Sequence, residues 1–184
     1  MAHTLIVGMT ESGKTCLGKA LLAKYKQRGV GTLLLDPMHD PEWNADYVTH
    51  DADELLRVAK DSEQCAIFID EPASAIGKYD KQAEWFTTMS RHWGHETTFC
   101  TQRGVQLSPT IREQCQKLFL FAVGSEKDAK VFADSYGDPG LLEACRLNQG
   151  EFLYARRFAQ GQRVRAEKYR IDFPTKVITR ITVK

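Results

Sequence analysis

Three observations predict an α/β fold with a mostly parallel central sheet and antiparallel strands at its C-terminal edge. Gly8-Met9-Thr10-Glu11-Ser12-Gly13-Lys14-Thr15 follows an apolar, β-rich run, Thr4-Leu5-Ile6-Val7, and precedes a segment with Leu17, Ala20, Leu21 and Leu22 at helical spacing. Short apolar runs then alternate with helical stretches along the chain. Cys65-Ala66-Ile67-Phe68-Ile69-Asp70 is continuously apolar and ends in an acid, the pattern of a strand buried on both faces.

Each element has a local reason. Gly31 to Asp36 reads as the second strand, closed by Pro37, and residues 38–50 read as an irregular surface loop because Pro41 and polar residues break any periodicity. Asp53 to Lys60 is a short helix. Tyr79 to Trp93 is a helix with Trp85, Phe86 and Met89 on one face, and Thr97 to Thr101 is the next strand, ending at Gln102. Pro109 suits the first turn of a helix running to Cys115, and Lys117 to Val123 is a strand. Ser125 is placed to cap a helix from Glu126 to Asp134, with Asp128 in its first turn. Glu151 to Arg157 and Gln162 to Asp172 read as edge strands.

At 184 residues the chain fits one domain, 1–184, with a core over about residues 4–155 and basic strands over 156–184. A net charge of +1 argues against binding nucleic acid through overall charge. Charge is nevertheless uneven: residues 156–184 hold nine basic and two acidic side chains. That segment suits phosphate contacts, a charged sheet edge or a subunit contact equally well. Five cysteines without a C-x-x-C pair suggest reduced, largely buried thiols. No run approaches the roughly 18 apolar residues of a membrane span. The first strand starts too early for a cleaved leader, so any membrane attachment is expected through a partner.

Residues 8–15 complete the G-x-x-x-x-G-K-[ST] pattern of a phosphate-binding loop. Its chemistry needs glycines where backbone approaches phosphate, a lysine for the β and γ phosphates, a hydroxyl for Mg²⁺, and a helix start whose free N–H groups face an anion. The nucleotide-binding set is Gly8, Thr10, Glu11, Ser12, Gly13, Lys14, Thr15 and Cys16. Asp70 at a buried strand end can hold the Mg²⁺ shell opposite Thr15, and Glu71 can polarise a water for attack on the γ phosphate. Gln102 ends the strand after the acidic one, where functional groups gather in a parallel sheet, and is a candidate γ-phosphate sensor. No Asn-Lys-x-Asp guanine-reading motif is present, so adenine is favoured by elimination and ATP is the expected ligand. His92, His95 and Glu96 lack the H-E-x-x-H spacing and read as structural.

Taken together, these residues resemble the FtsK/HerA superfamily of DNA-pumping ATPases, most closely the genome-packaging ATPases of tailless, membrane-containing icosahedral viruses. The resemblance is carried by Gly8 to Thr15 in the form G-x-T-x-S-G-K-[ST], by Asp36-Pro37, by Ile69-Asp70-Glu71, and by Ser90 to Gly94 through Thr101-Gln102-Arg103. Ser108 to Cys115, Val123-Gly124-Ser125 and Gly150-Glu151-Phe152 follow in the same order. It implies a three-layer, RecA-like P-loop NTPase fold of the ASCE class and a homo-oligomeric ring, a hexamer or pentamer, that translocates double-stranded DNA. It also implies an arginine acting on a neighbour's γ phosphate, with Arg91 ranked before Arg112 and Arg103 a further candidate.

The residues from Gly77 to Asp80, with Lys78 and Lys81, are a candidate pore loop for DNA. Capsid-vertex or membrane proteins are the expected partners, and the host cytoplasm and the packaging vertex of the virion the expected location. Chromosome translocases of the superfamily carry a membrane anchor and a DNA-reading domain, and this chain, with its motor starting at residue 4, is expected to lack both. Two other readings stay open: a nucleotide-gated assembly ATPase that moves no DNA, and a small-molecule phosphotransferase.

Overall fold

A computed structural model describes residues 2–70, 85–102, 104, 107–157 and 165–181. Among the described residues nine strands form one sheet: β1 Thr4–Val7, β2 Thr32–Leu35, β3 Tyr47–Thr49, β4 Ala66–Asp70, β5 Glu96–Thr101, β6 Lys117–Phe121, β7 Glu151–Arg156, β8 Glu167–Ile171 and β9 Ile178–Arg180. Their spatial order is β3-β2-β4-β5-β1-β6-β7-β8-β9. The first six are parallel, and β7, β8 and β9 each add antiparallel.

Both faces of the parallel strands are apolar because both are covered, which is why these strands read as continuous hydrophobic runs. Leu5 and Val7 of β1 face one side with Ile67, Ile69 and Phe99, under Leu55 and Ala59 of α2 (Ala52–Lys60) and Phe132 of α4 (Glu126–Tyr136). Ile6 faces the other side with Cys100 and Phe152, under Leu17 and Ala20 of α1 (Lys14–Gln27). Trp43 extends that layer over Leu34 and Phe68. The result is a sheet between two layers, the three-layer arrangement expected.

Caps fix the helix starts. Asp51 accepts the amides of Asp53 at 2.7 Å and Glu54 at 3.1 Å to open α2. Ser108 accepts the Ile111 amide at 3.3 Å to open α3 (Pro109–Gln114), with Pro109 in its first turn, and Ser125 accepts the Asp128 amide at 3.1 Å to open α4. Gly137 closes α4 at φ 66°, a left-handed position that glycine fills without strain.

Several expectations need correction. The segment 38–50 is not wholly irregular, since Tyr47–Thr49 pairs with β2 in parallel at the sheet edge. Pro139–Arg146 forms 3₁₀ turns and Ile178–Arg180 a ninth strand, neither of them expected; the strand is too short at three residues to show a period. Within the helix expected over 79–93, residues 85–88 are helical and Ser90–Trp93 is 3₁₀, while 79–84 lie outside the described residues. Met89 is exposed instead of sharing a buried face with Phe86, and Trp85 packs against Trp93 with ring centroids 5.5 Å apart. Only Cys100 and Cys115 are fully buried; Cys16 and Cys65 are half-buried and Cys145 is exposed.

Three basic side chains of the C-terminal strands, Lys168, Arg170 and Arg180, are ion-paired within the sheet edge. Buried Glu151 pairs with Arg170 at 2.8 Å and Lys168 at 3.3 Å, and Arg180 pairs with Glu167 at 2.7 Å. Arg157 lies over the Tyr136 ring at 4.3 Å and donates to Ser135 Oγ at 2.7 Å.

Candidate functional site

Parallel pairing brings three separate segments to one end of the sheet. Asp70 is level with Cys100, Cys100 with Ile6, and Val7 with Thr101. The start of the loop after β1, the end of β4 and the residue after β5 therefore share the carboxyl edge. With strands spaced about 4.8 Å apart, Asp70 sits roughly 10 Å across the sheet from β1.

The loop itself is held by its own backbone. Gly8 N donates to Thr101 O at 3.3 Å and Met9 N to Ala122 O at 2.8 Å, anchoring the loop to both flanking segments. A Cβ on Gly8 would lie 2.5 Å from Phe121 Cβ and 2.7 Å from Ser12 Oγ, so only glycine fits. Glu11 and Gly13 take positive φ values of 61° and 112°, turning the chain so that α1 begins at Lys14. Gly150 N donates to Ser12 O at 3.0 Å and Gln149 Nε2 to Glu11 O at 3.0 Å, so the segment before β7 buttresses the loop from outside.

Lys14 is only 6% exposed, and its ammonium donates to Met9 O at 2.9 Å, which lays it across the loop. Ser12 is buried as well, and its hydroxyl has no hydrogen-bond partner among the described residues. Such a group in an interior is costly unless a ligand or water completes it. Thr15 lies in the first turn of α1 and is half-buried, and Asp70 is 6% exposed. Hydroxyl and carboxylate are the hard oxygen donors that suit Mg²⁺, which binds through one or two protein oxygens plus phosphates and not through an all-protein cage.

Gln102 is joined directly to the loop, because Thr10 Oγ1 donates to Gln102 Oε1 at 3.0 Å. Beside this pair is a cavity of about 570 Å³ lined by Met9, Thr10, Gln102, Gly124, Ser125 and Asp128. A second cavity, of about 330 Å³, lies at the opposite end of the sheet between Lys24, Lys117, Phe119, Tyr154 and Tyr169, away from the loop.

Glu71 and Arg103 lie outside the described residues, as do Gly77 to Asp80 and Lys81. The other two arginines differ in placement. Exposed Arg91 donates from Nε to Thr88 O at 3.0 Å and acts electrostatically on His3, just before β1, which puts it at the amino edge of the strands, across the sheet from its own P-loop. Arg112 Nη1 donates to Leu107 O at 2.6 Å and Gly104 O at 3.3 Å, shaping the segment that follows Gln102. His95 accepts the Cys65 amide at Nδ1 (3.1 Å) while Nε2 lies 2.8 Å from Ala59 O, so both nitrogens serve the fold.

Asp36 is buried and accepts the amides of Met38 at 3.1 Å and Asp40 at 2.6 Å, making the Asp-Pro turn. Lys19 of α1 binds Asp40 at 2.6 Å and Glu42 at 2.9 Å, tying this turn to the P-loop helix. Burial opposes the Lys19 charge, but these two carboxylates outweigh it and raise its pKa. Sequence reasoning missed two parts of the site: the bracing of the loop by Gln149 and Gly150, of which only Gly150 stood in a marked run, and Phe173, whose ring lies against Gly13. Both come from a region more than 130 residues downstream of the motif.

No family model and no curated protein sequence matches the chain. Solved structures do. The genome-packaging NTPase B204 of Sulfolobus turreted icosahedral virus 2, in complex with AMPPCP, superposes with a TM-score of 0.71 at 17% identity, covering 98% of this chain and 97% of that one. The pCW3 conjugation coupling protein TcpA, with ATPγS, gives 0.75 at 14% identity over 94% of this chain and 60% of its own. The cytoplasmic domain of the Thermomonospora curvata type VII secretion ATPase EccC gives 0.66 at 13% identity over 86% of this chain and 24% of its own. The likeness is one of fold, that of a P-loop NTPase domain.

Proposed function

We propose that this chain is an ATP-hydrolysing motor which, as a homo-oligomeric ring, drives double-stranded DNA into a preformed capsid. The observation that carries the reading is the convergence of Lys14, Asp70 and the Thr10–Gln102 pair on one sheet edge, in a fold that matches a viral packaging NTPase over nearly its whole length.

The loop amides and Lys14 bind the phosphates, while Thr15 and Asp70 would hold Mg²⁺, which would supply charge neutralisation to the phosphates. Glu71 orients and deprotonates the attacking water. Gln102 senses the γ phosphate and passes its state to the loop through Thr10. A neighbouring subunit's arginine completes the site, and exposed Arg91, whose Nε donates to Thr88 O, suits that role better than half-buried Arg112, whose Nη1 donates to two carbonyls of its own chain. Among the described residues no helix is long and apolar enough to cross a membrane, so capsid-vertex or membrane proteins are the proposed anchors in the virion.

The test is ATP turnover by the assembled protein with and without duplex DNA. A motor shows DNA-stimulated turnover, and Glu71→Gln keeps ATP bound while abolishing it. An unchanged rate with DNA favours the second reading, a nucleotide-driven assembly ATPase. The likeness to EccC, a secretion ATPase, keeps that reading in play. Phosphate release without any acceptor excludes a phosphotransferase.

A further inference from the structure

We infer that Phe173 is the platform on which the base of the bound nucleotide stacks, and that the turn between β8 and β9, residues 172–177, walls the base side of the site. This rests on the nucleotide-binding reading of the P-loop and goes beyond it by assigning the base subsite, which no motif marks.

The γ-phosphate end of the loop is set by the Thr10–Gln102 bond, on the β5 side of β1. The rest of a nucleotide then extends toward the other flank, over Gly13 and Cys16. The sheet order places β6, β7 and β8 on that flank, and Phe173 follows β8. Its ring is close: a Cβ on Gly13 would stand 2.8 Å from Phe173 Cε1, and one on Gly150 would stand 3.6 Å from Cζ. Cys16 Sγ lies 3.8 Å from Phe173 O, so the first turn of α1 and this residue share one surface. Yet Phe173 is 38% exposed, an aromatic residue left partly to solvent beside a phosphate loop.

The turn that carries it is stiff. Asp172 Oδ2 accepts the Thr175 amide at 3.0 Å, Lys176 N donates to Asp172 O at 2.8 Å, and Asp172 N donates to Val177 O at 2.9 Å. It is also bonded through to the P-loop, since Ile171 N donates to Gly150 O at 2.9 Å and Gly150 N to Ser12 O at 3.0 Å. A ring held this way is ordered before ligand arrives, which is what makes a stacking surface effective. Lys176, at the same turn, acts electrostatically on both Cys16 and Asp40, so residues 172–177 reach across the start of α1 toward the Asp36–Asp40 turn. Stacking on an aromatic face adds affinity with little regard for base identity.

The experiment measures binding of ATP and of inorganic tripolyphosphate, each with Mg²⁺, to the wild-type protein, Phe173→Ala and Phe173→Tyr. The expected result is about a 10-fold loss of ATP affinity in Phe173→Ala, unchanged tripolyphosphate affinity, and recovery in Phe173→Tyr. In Phe173→Trp, ATP quenches the added fluorescence and tripolyphosphate does not. Equal weakening of both ligands, no weakening of ATP, or wild-type protein that binds tripolyphosphate as tightly as ATP overturns the inference and leaves the phosphate site standing. Wild-type protein that binds neither ligand overturns the phosphate-site reading, and this one with it.

Discussion

Thr10 Oγ1 donates to Gln102 Oε1 at 3.0 Å across 92 residues of sequence, joining the phosphate loop to the strand beside it. A glutamine that touches the loop can transmit what it detects, which one held only at a strand end cannot. Gln102→Ala is therefore expected to lower ATP turnover about 10- to 100-fold while ATP affinity stays within about threefold. Thr10→Val, which removes only the hydrogen bond, should cost about fivefold in turnover. Steady-state kinetics and calorimetric titration of each variant check this, and a Gln102→Ala protein with normal turnover would remove Gln102 from the site.

His3 couples pH to stability at the other edge of the sheet. Burial, then the Arg91 charge, push its pKa down from 6.5 to about 4, against the pull of Glu96. A histidine depressed in the folded state takes up its proton more readily when unfolded. Its contribution is therefore complete above about pH 6.5 and is lost as pH falls toward 4, by up to about 3 kcal/mol. Urea unfolding across that range should show the slope, and His3→Gln should flatten it. Arg91→Gln should raise the His3 pKa, measurable by NMR titration.

Glu151 governs a lower window. Burial raises its carboxyl, but the Asn148 amide, Arg170 and Lys168 together outweigh burial and leave it below the ordinary 4.5. Its stabilisation is present above about pH 4.5 and disappears as pH falls through the depressed value. Glu151→Gln should destabilise the protein at pH 7 by about 2 kcal/mol, less than a fully enclosed pair because Arg170 is half exposed. The difference between variant and wild type should vanish in acid, as thermal melts at pH 7 and below pH 4 will show.

The thiols should separate by reactivity. Exposed Cys145 is expected to react first with a thiol reagent, while Cys100 stays closed until unfolding. Cys115 stays closed with it, its pKa pushed up to about 12 by burial. Cys16 is half-buried, and burial raises its pKa against the nearby Lys176 and Lys19, so it should label slowly, and more slowly still with ATP bound. Mass-spectrometric mapping of the labelled residues over time decides the order.

Residue types alone marked the phosphate loop, the acidic end of β4 and Gln102, because each sits at the junction of a strongly patterned strand with a polar residue. The buried strands were legible for the same reason: Ile67 to Ile69 are apolar on both faces. Tyr47–Thr49 was not, since a three-residue edge strand needs only partial burial and alternates too briefly to register. Phe173 was silent because an exposed aromatic in a polar turn has no periodicity, and its meaning lies entirely in Gly13 across the fold. The placement of the arginines was not legible for a related reason. Charge type says nothing about which sheet edge a side chain reaches, and Arg91 reaches the one opposite its own loop.

The brace from Ser12 through Gly150 to Ile171 also bears on how the protein is made. Residues 8–16 leave the ribosome well before residues 149–173, which supply their supporting bonds. Closure over so long a stretch is entropically slow and comes late. A nascent chain should expose an unbraced phosphate loop until β8 and Phe173 are in hand, so nucleotide affinity is a late product of folding and can serve as its reporter.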